Sequence, residues 1–148
     1  MTLSPTLALA CLLYIEARGE GEDGIRMVAA VAYNRAFGDP ANVYAVCMSR
    51  AWNGERSLRA IRRMASTGIR QAKRNPGEWQ AWLLCVQVAT EVMQGDFVPY
   101  TRATHFHADD GRERPWTKRM ICVGLVGRHL FWEEKRLDAD VRGEVDRG

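Results

Sequence analysis

The chain has 148 residues and a formal net charge of +3, with 47% hydrophobic and 26% charged residues. This ordinary globular composition excludes a wholly disordered chain, and 13 glycines and 5 prolines without a period exclude a collagen-like or simple coiled-coil chain. The length favours one domain, and no apolar run reaches the roughly 18–20 residues that a membrane span needs.

The longest apolar run of the sequence lies near its N-terminus, over residues 7–15. Ser4 and Pro5 suit the cap and the first position of a helix that ends near Arg18. No basic region precedes the run and no small-residue cleavage site follows it, so we expect a buried first helix rather than a signal peptide. On this pattern we expect the protein to be made in the cytoplasm.

Three further helices are predicted from apolar periodicity and from helix-start signals. They cover residues 22–38, residues 41–48, and a longer stretch from residue 77 or 78 to residue 94, with Pro76 at its first position.

A strongly basic segment lies between the short and the long helix. Residues 50–74 carry eight basic side chains and one acidic one. The segment fits a solvated helix face, phosphate binding, or attraction to an anionic polymer such as the bacterial cell wall or outer-membrane lipopolysaccharide. No helix-turn-helix or paired-cysteine pattern accompanies it.

The last third of the chain predicts strands rather than helices. Residues 103–107 are rich in threonine and aromatic residues, and residues 120–126 form a second apolar run that is interrupted at Gly124. A polar turn over residues 109–115 separates the two. The final stretch, 133–148, has ten charged residues of sixteen, so we expect a folded domain over 1–132 and a solvated tail over 133–148.

The four cysteines are widely spaced and form no Cys-X-X-Cys pair, which argues against a zinc ribbon or a thioredoxin-type motif. Their apolar neighbours predict buried free thiols in a reducing compartment, with a disulfide formed after export as the alternative. The four positions are Cys11, Cys47, Cys85 and Cys122.

Glu16 is the first candidate for chemistry, because it ends the apolar first helix just before Gly19. Apolar neighbours desolvate a carboxyl group there and raise its pKa, which is what a general acid needs at neutral pH. The alternative is an ordinary solvated glutamate at a helix end.

His105 and His107 form the second candidate site. Alternate residues of a strand share a face, so both imidazoles are predicted to point the same way. Such a pair suits hydrogen bonding to a polar polymer or a metal site, and the alternative is one core histidine and one exposed histidine.

Four aromatic residues form a third set of candidates, because their rings could contact sugars: Trp52, Tyr100, Trp116 and Trp132. Of these, Trp52 and Trp116 are favoured as cleft residues by their loop-like context.

Taken in order, these segments resemble the SleB-type cell wall hydrolases, a family that includes spore-cortex-lytic enzymes and phage relatives. Residues 14–20, YIEARGE, and residues 24–35, GIRMVAAVAYNR, are similar to the opening of the family. Residues 103–108, ATHFHA, and residues 127–132, GRHLFW, are similar to its late segments. The resemblance spans residues 7–132, while residues 49–54 match only loosely and the basic segment departs from the pattern.

The resemblance implies an α+β, mainly α, lysozyme-like domain with a small sheet. It implies cleavage of the β-1,4 bond between N-acetylmuramic acid and N-acetylglucosamine in peptidoglycan, by a lytic transglycosylase or a muramidase that needs no metal or other cofactor. The family's catalytic glutamate corresponds to Glu16, and Glu20 takes an orienting or structural place at the cleft. The residues expected to bind the glycan are Glu20, Trp52, Tyr100, Thr104, His105, His107 and Trp116.

Because the sequence shows no signal peptide and no wall-binding repeat, we expect a monomeric phage or prophage endolysin, held in the host cytoplasm and released to the wall on lysis, without a specific nucleic-acid partner. Two other functions stay open at this point. One is a zinc-dependent amidase or peptidase that uses His105 and His107, with His129 or an acid as a third ligand. The other is a non-enzymatic protein that binds nucleic acid through the segment from Arg50 to Arg74.

Overall fold

A computed structural model describes residues 3–49 and 58–135, which form a helical body followed by a small sheet. This arrangement confirms the predicted α+β, mainly α, class. The elements are α1 (Pro5–Ala17), α2 (Gly21–Arg35), α3 (Pro40–Cys47), α4 (residues 58–73), α5 (Pro76–Gln94), β1 (His105–Ala108), β2 (Met120–Val126) and β3 (His129–Glu134), with a 3-10 turn (Pro115–Arg119) before β2.

Three helices begin with the same local device, a polar cap followed by proline. The Ser4 hydroxyl accepts a hydrogen bond from the backbone N–H of Leu7, and the Asn75 side chain accepts from two backbone N–H groups of the first turn of α5. Asp39 caps α3 in the same way, and Pro40 is the first residue of that helix. The predicted helix limits are confirmed within a few residues.

Helix α1 is the centre of the molecule. Residues 8–14 and Ala17 are at most 5% exposed, and α1 packs against α2, α3, α4 and α5. Because it is apolar on every side, α1 can be surrounded by other helices. The prediction of a buried first helix is confirmed, and within residues 3–49 and 58–135 no helix is both long and apolar enough to cross a membrane.

Three of the four cysteines are buried between these helices, as thiols and not as disulfides. Desolvation raises the pKa of each of these three to about 12, so they are protonated at neutral pH. The fourth, Cys122, is exposed on β2, where the prediction of burial is wrong.

The described part of the basic segment is the helix α4. Its basic side chains Arg62, Arg63 and Arg70 are exposed, whereas Ile61 and Met64 are buried against the core. The basic face of residues 58–73 is therefore exposed to solvent, as each of the three interpretations of this segment requires. The middle of α4 is a π-helical turn (Met64–Gly68).

The sheet is antiparallel with strand order β1-β3-β2, so β3 lies in the middle. Strand β3 was not predicted, and it extends two residues into the segment assigned to the tail. The predicted interruption at Gly124 is a register shift between β2 and β3, and Gly124 has a φ of 143°. Phe131 of β3 is fully buried and stacks on Phe106 of β1, so this face of the sheet packs on the helical body.

Helix α2 carries the segment that leads into β1. The side-chain amide of Asn34 donates hydrogen bonds to the backbone carbonyls of Thr101 and Ala103, at 2.9 and 2.8 Å. The guanidinium of Arg35 donates to the carbonyl of Thr104. These contacts fix where β1 begins relative to α2.

Candidate active site

Glu16 lies in the last turn of α1 and is half-buried. One turn earlier, on the same side of the helix, are Leu12 and Leu13, both at most 1% exposed. Within the described ranges its carboxyl group makes no hydrogen bond and no ion pair. Desolvation raises the pKa of Glu16, so the environment expected for a general acid is present.

Glu20 lies at the corner between α1 and α2, where it is the residue before the first turn of α2. Its carboxylate Oε2 accepts a hydrogen bond from the backbone N–H of Arg128 at 2.9 Å. Its Oε1 is 3.9 Å from Nδ1 of His129, and the Glu20 side chain is 11% exposed. This carboxylate is engaged by its own chain, which fits the orienting role of Glu20 and not a direct contact with substrate.

His105 and His107 point to the same side of the sheet, as their spacing predicts. The Trp116 ring lies beside both, with centroid distances of 5.0 Å to His105 and 5.6 Å to His107. The Trp132 ring stacks on His107 at 6.0 Å with an interplanar angle of 20°. We call these four side chains the aromatic wall. Both histidines are half-buried, so the alternative of one core and one exposed histidine is wrong.

Thr104 supports this wall at its edge. Its hydroxyl lies 2.9 Å from Nδ1 of His105, and its backbone N–H donates to the carbonyl of Trp132. Desolvation, with a smaller contribution from the charge of Arg35, lowers the pKa of His105. His105 is consequently neutral at neutral pH and can act as both donor and acceptor of hydrogen bonds.

Tyr100, one of the predicted glycan-binding residues, does not join the wall. Tyr100 lies in the segment between α5 and β1 with 57% of its surface exposed, and neither a hydrogen bond nor a ring contact connects it to the wall as described. Trp52 lies outside the described residues.

The sequence did not favour Trp132 as a cleft residue, and it assigned no separate role to Asn34 or Arg35. Trp132 reaches the wall because it pairs directly with His105 across β1 and β3. The pair Asn34-Arg35 follows the long apolar face of α2, and this change from apolar to polar was the available signal for a helix end that binds another segment.

The geometry gives no support to a zinc site. His129 pairs with Ala108 across the sheet, and it contacts Phe106 on the face opposite to His105 and His107. Over the part of the chain that is described, no group of three or more His, Cys, Asp or Glu side chains is arranged to hold a metal ion.

Comparison with known protein families gives one match. The family described as Cell Wall Hydrolase matches residues 19–132. That segment contains Glu20, the aromatic wall and all of the sheet except the last two residues of β3, and it begins three residues after Glu16. Neither the curated proteins nor the solved structures contain a match to this chain.

Proposed function

This chain belongs to the cell wall hydrolase family, and we propose that it is a lytic transglycosylase that cleaves peptidoglycan glycan strands with Glu16 as its acid and base. The bond to be cleaved is the β-1,4 bond between N-acetylmuramic acid and N-acetylglucosamine. Family membership supports action on the cell wall. The glycosidic reaction rests on the residues around Glu16.

The observation that carries the proposal is the Glu16 carboxyl group in an apolar helix end, which has no hydrogen bond or ion pair to any other described residue. Desolvation raises its pKa, so this carboxyl group keeps its proton to a higher pH than an ordinary glutamate does. In the first half of the reaction Glu16 donates this proton to the bridging oxygen, and the bond from that oxygen to C1 of the muramic acid breaks. The positive charge that develops at C1 is then open to attack.

The second half needs only the same carboxylate. Glu16, now ionised, accepts the proton of the C6 hydroxyl of the muramic acid, whose oxygen forms the new bond to C1. Hydrolytic glycosidases generally use a second carboxylate to activate water or to attack the sugar. The neighbouring Glu20 is occupied by the N–H of Arg128, and this supports the one-carboxylate route.

The aromatic wall provides the surface that a sugar polymer requires. Aromatic side chains combine a large apolar face with hydrogen-bonding atoms at the rim. Nε2 of His107 and Nε1 of Trp132 are buried and have no hydrogen-bond partner within residues 3–49 and 58–135, so these two atoms bond to a sugar hydroxyl only after a neighbouring side chain moves aside. We propose that the glycan contacts His105, His107, Trp116 and Trp132.

Mass spectrometry of the digestion products tests the reaction type. Purified peptidoglycan digested by the protein should yield muropeptides with anhydro-muramic ends, which are lighter by one water than hydrolysed ends. Hydrolysed ends alone would show a muramidase instead. Stem peptides released from intact glycan would show an amidase, and loss of activity in EDTA would identify that enzyme as metal-dependent.

The pH dependence should report the protonation of Glu16. Since the acid must carry its proton and burial raises its pKa above the ordinary value for glutamate, kcat/KM should stay high beyond that ordinary value and fall as the pH passes the raised pKa. The measurement is kcat/KM on soluble glycan strands, with Tm recorded at each pH to separate unfolding from titration. A decline centred at the ordinary value for glutamate would contradict the assignment.

We further propose that the enzyme acts as a phage or prophage endolysin, in keeping with the phage relatives that its sequence resembles. Expressed alone in bacteria, it should lyse cells only after a separate pore opens the membrane. A secreted and processed form in unlysed cultures would contradict this setting.

A further inference from the structure

The structure encloses the Glu20 side chain in a slot made by two glycines. A Cβ atom at Gly24 would lie 2.3 Å from Cβ of Glu20, and a Cβ atom at Gly127 would lie 1.9 Å from its Oε2. Neither position can take a side chain without displacing Glu20. Gly127 also has a φ of 58°, a conformation that other residues adopt with strain.

This slot joins parts of the chain that are 108 residues apart in sequence. On one side is the corner between α1 and α2, four residues after Glu16. On the other side is the turn between β2 and β3. Strand β3 carries Trp132 of the aromatic wall. The His129 side chain is 13% exposed and lies beside the Glu20 carboxylate. Its ring packs against that of Phe106 at nearly a right angle.

We propose that Glu20 is a positioning residue, whose carboxylate ties the β2–β3 turn to the corner between α1 and α2 and so holds in place the end of α1 that carries Glu16. The inference rests on the proposed function, and it assigns Glu20 a task apart from proton transfer. Glu16 can protonate the bridging oxygen only when the end of α1 keeps a fixed position relative to the bound glycan. A displacement of about 1 Å can lower the rate of an enzyme by about a hundredfold.

Two substitutions at Glu20 separate positioning from charge. In Glu20→Gln the amide oxygen still accepts from the N–H of Arg128, so kcat should stay within about threefold of the wild type. In Glu20→Ala the contact is lost, so kcat should fall tenfold or more with a smaller change in KM, because the wall itself is intact. Wild-type kcat in Glu20→Ala, or equal losses in both variants, would overturn the proposal.

The glycine at 127 gives an independent test with a matched control. Gly111 also has a positive φ, 75°, but no atom lies within 4 Å of a Cβ built there. Gly127→Ala should therefore lower kcat far more than Gly111→Ala does. In the Glu20→Ala background the steric conflict with the carboxylate is gone and only the backbone strain remains, so adding Gly127→Ala should lower kcat no more than Gly111→Ala does in the wild type. Additive losses in the double variant would contradict the slot.

Amide hydrogen exchange at Arg128 provides a readout that does not depend on activity. The N–H of Arg128 should exchange slowly in the wild type and in Glu20→Gln, and at least tenfold faster in Glu20→Ala. If the protein cleaves no glycan while this pattern holds, the proposed reaction fails and the contact stands. If the enzyme is active and exchange at Arg128 is unchanged in Glu20→Ala, the positioning role fails and the reaction stands.

Discussion

Glu16→Gln should lower the rate of glycan cleavage by roughly a thousandfold or more, because it removes both proton-transfer steps while the shape of the side chain is kept. The fold should not suffer. A group whose pKa is raised on folding contributes stability below its unfolded pKa, and that contribution is lost as the pH rises through the folded pKa. The neutral amide avoids the burial of a charged carboxylate, so at neutral pH the Tm of Glu16→Gln should equal or exceed that of the wild type.

The measurement is kcat on purified peptidoglycan together with Tm and circular dichroism. Glu22→Gln is a matched control, since Glu22 is a nearby glutamate in the first turn of α2 with 55% of its side chain exposed. It should keep its activity. Substantial activity in Glu16→Gln would remove Glu16 from the mechanism, and equal inactivation of both variants would show that the loss is not specific to position 16.

Phe131→Ala should have the largest effect on stability. Phe131 is fully buried in the central strand β3, where it stacks on Phe106 at 5.6 Å and connects the sheet to the helical body. Removing a buried phenyl ring leaves a cavity and loses its transfer free energy, which together cost about 3–5 kcal/mol. That is a large fraction of the roughly 5–15 kcal/mol by which such domains are stable.

Chemical denaturation of the wild type and of two variants checks this expectation. Leu125→Ala is the control, because Leu125 lies on the edge strand β2 with 54% of its surface exposed. Its free energy of unfolding should change by no more than about 0.5 kcal/mol. If Phe131→Ala costs no more than the control, the sheet does not share a core with the helices.

The helices could be predicted closely because their limits are local. Ser4-Pro5 and Asn75-Pro76 each specify a cap and a first turn within a few residues, and the apolar run of α1 specifies its burial. Strand β3 could not be predicted in the same way. It ends in Glu133 and Glu134, which resemble a solvated tail in sequence and become strand only by pairing with β2.

In the candidate site, too, local features could be predicted and distant contacts could not. The surroundings of Glu16 follow from its own helix, and the shared direction of His105 and His107 follows from the alternation of a strand. The partners of Glu20 lie more than a hundred residues away, and Trp132 reaches the wall only through the register of β1 and β3. Contacts of this kind depend on tertiary structure, which no local pattern encodes.

The four thiols differ in burial, so the protein has a natural site for chemical labelling. Cys122 is exposed, while the other three cysteines are enclosed and their thiolates suppressed, so an alkylating fluorophore should attach at one place. The dye would lie on β2, the neighbour of the strand that carries Trp132. The emission of the dye should report the binding of a polysaccharide in real time, without any change to the native sequence.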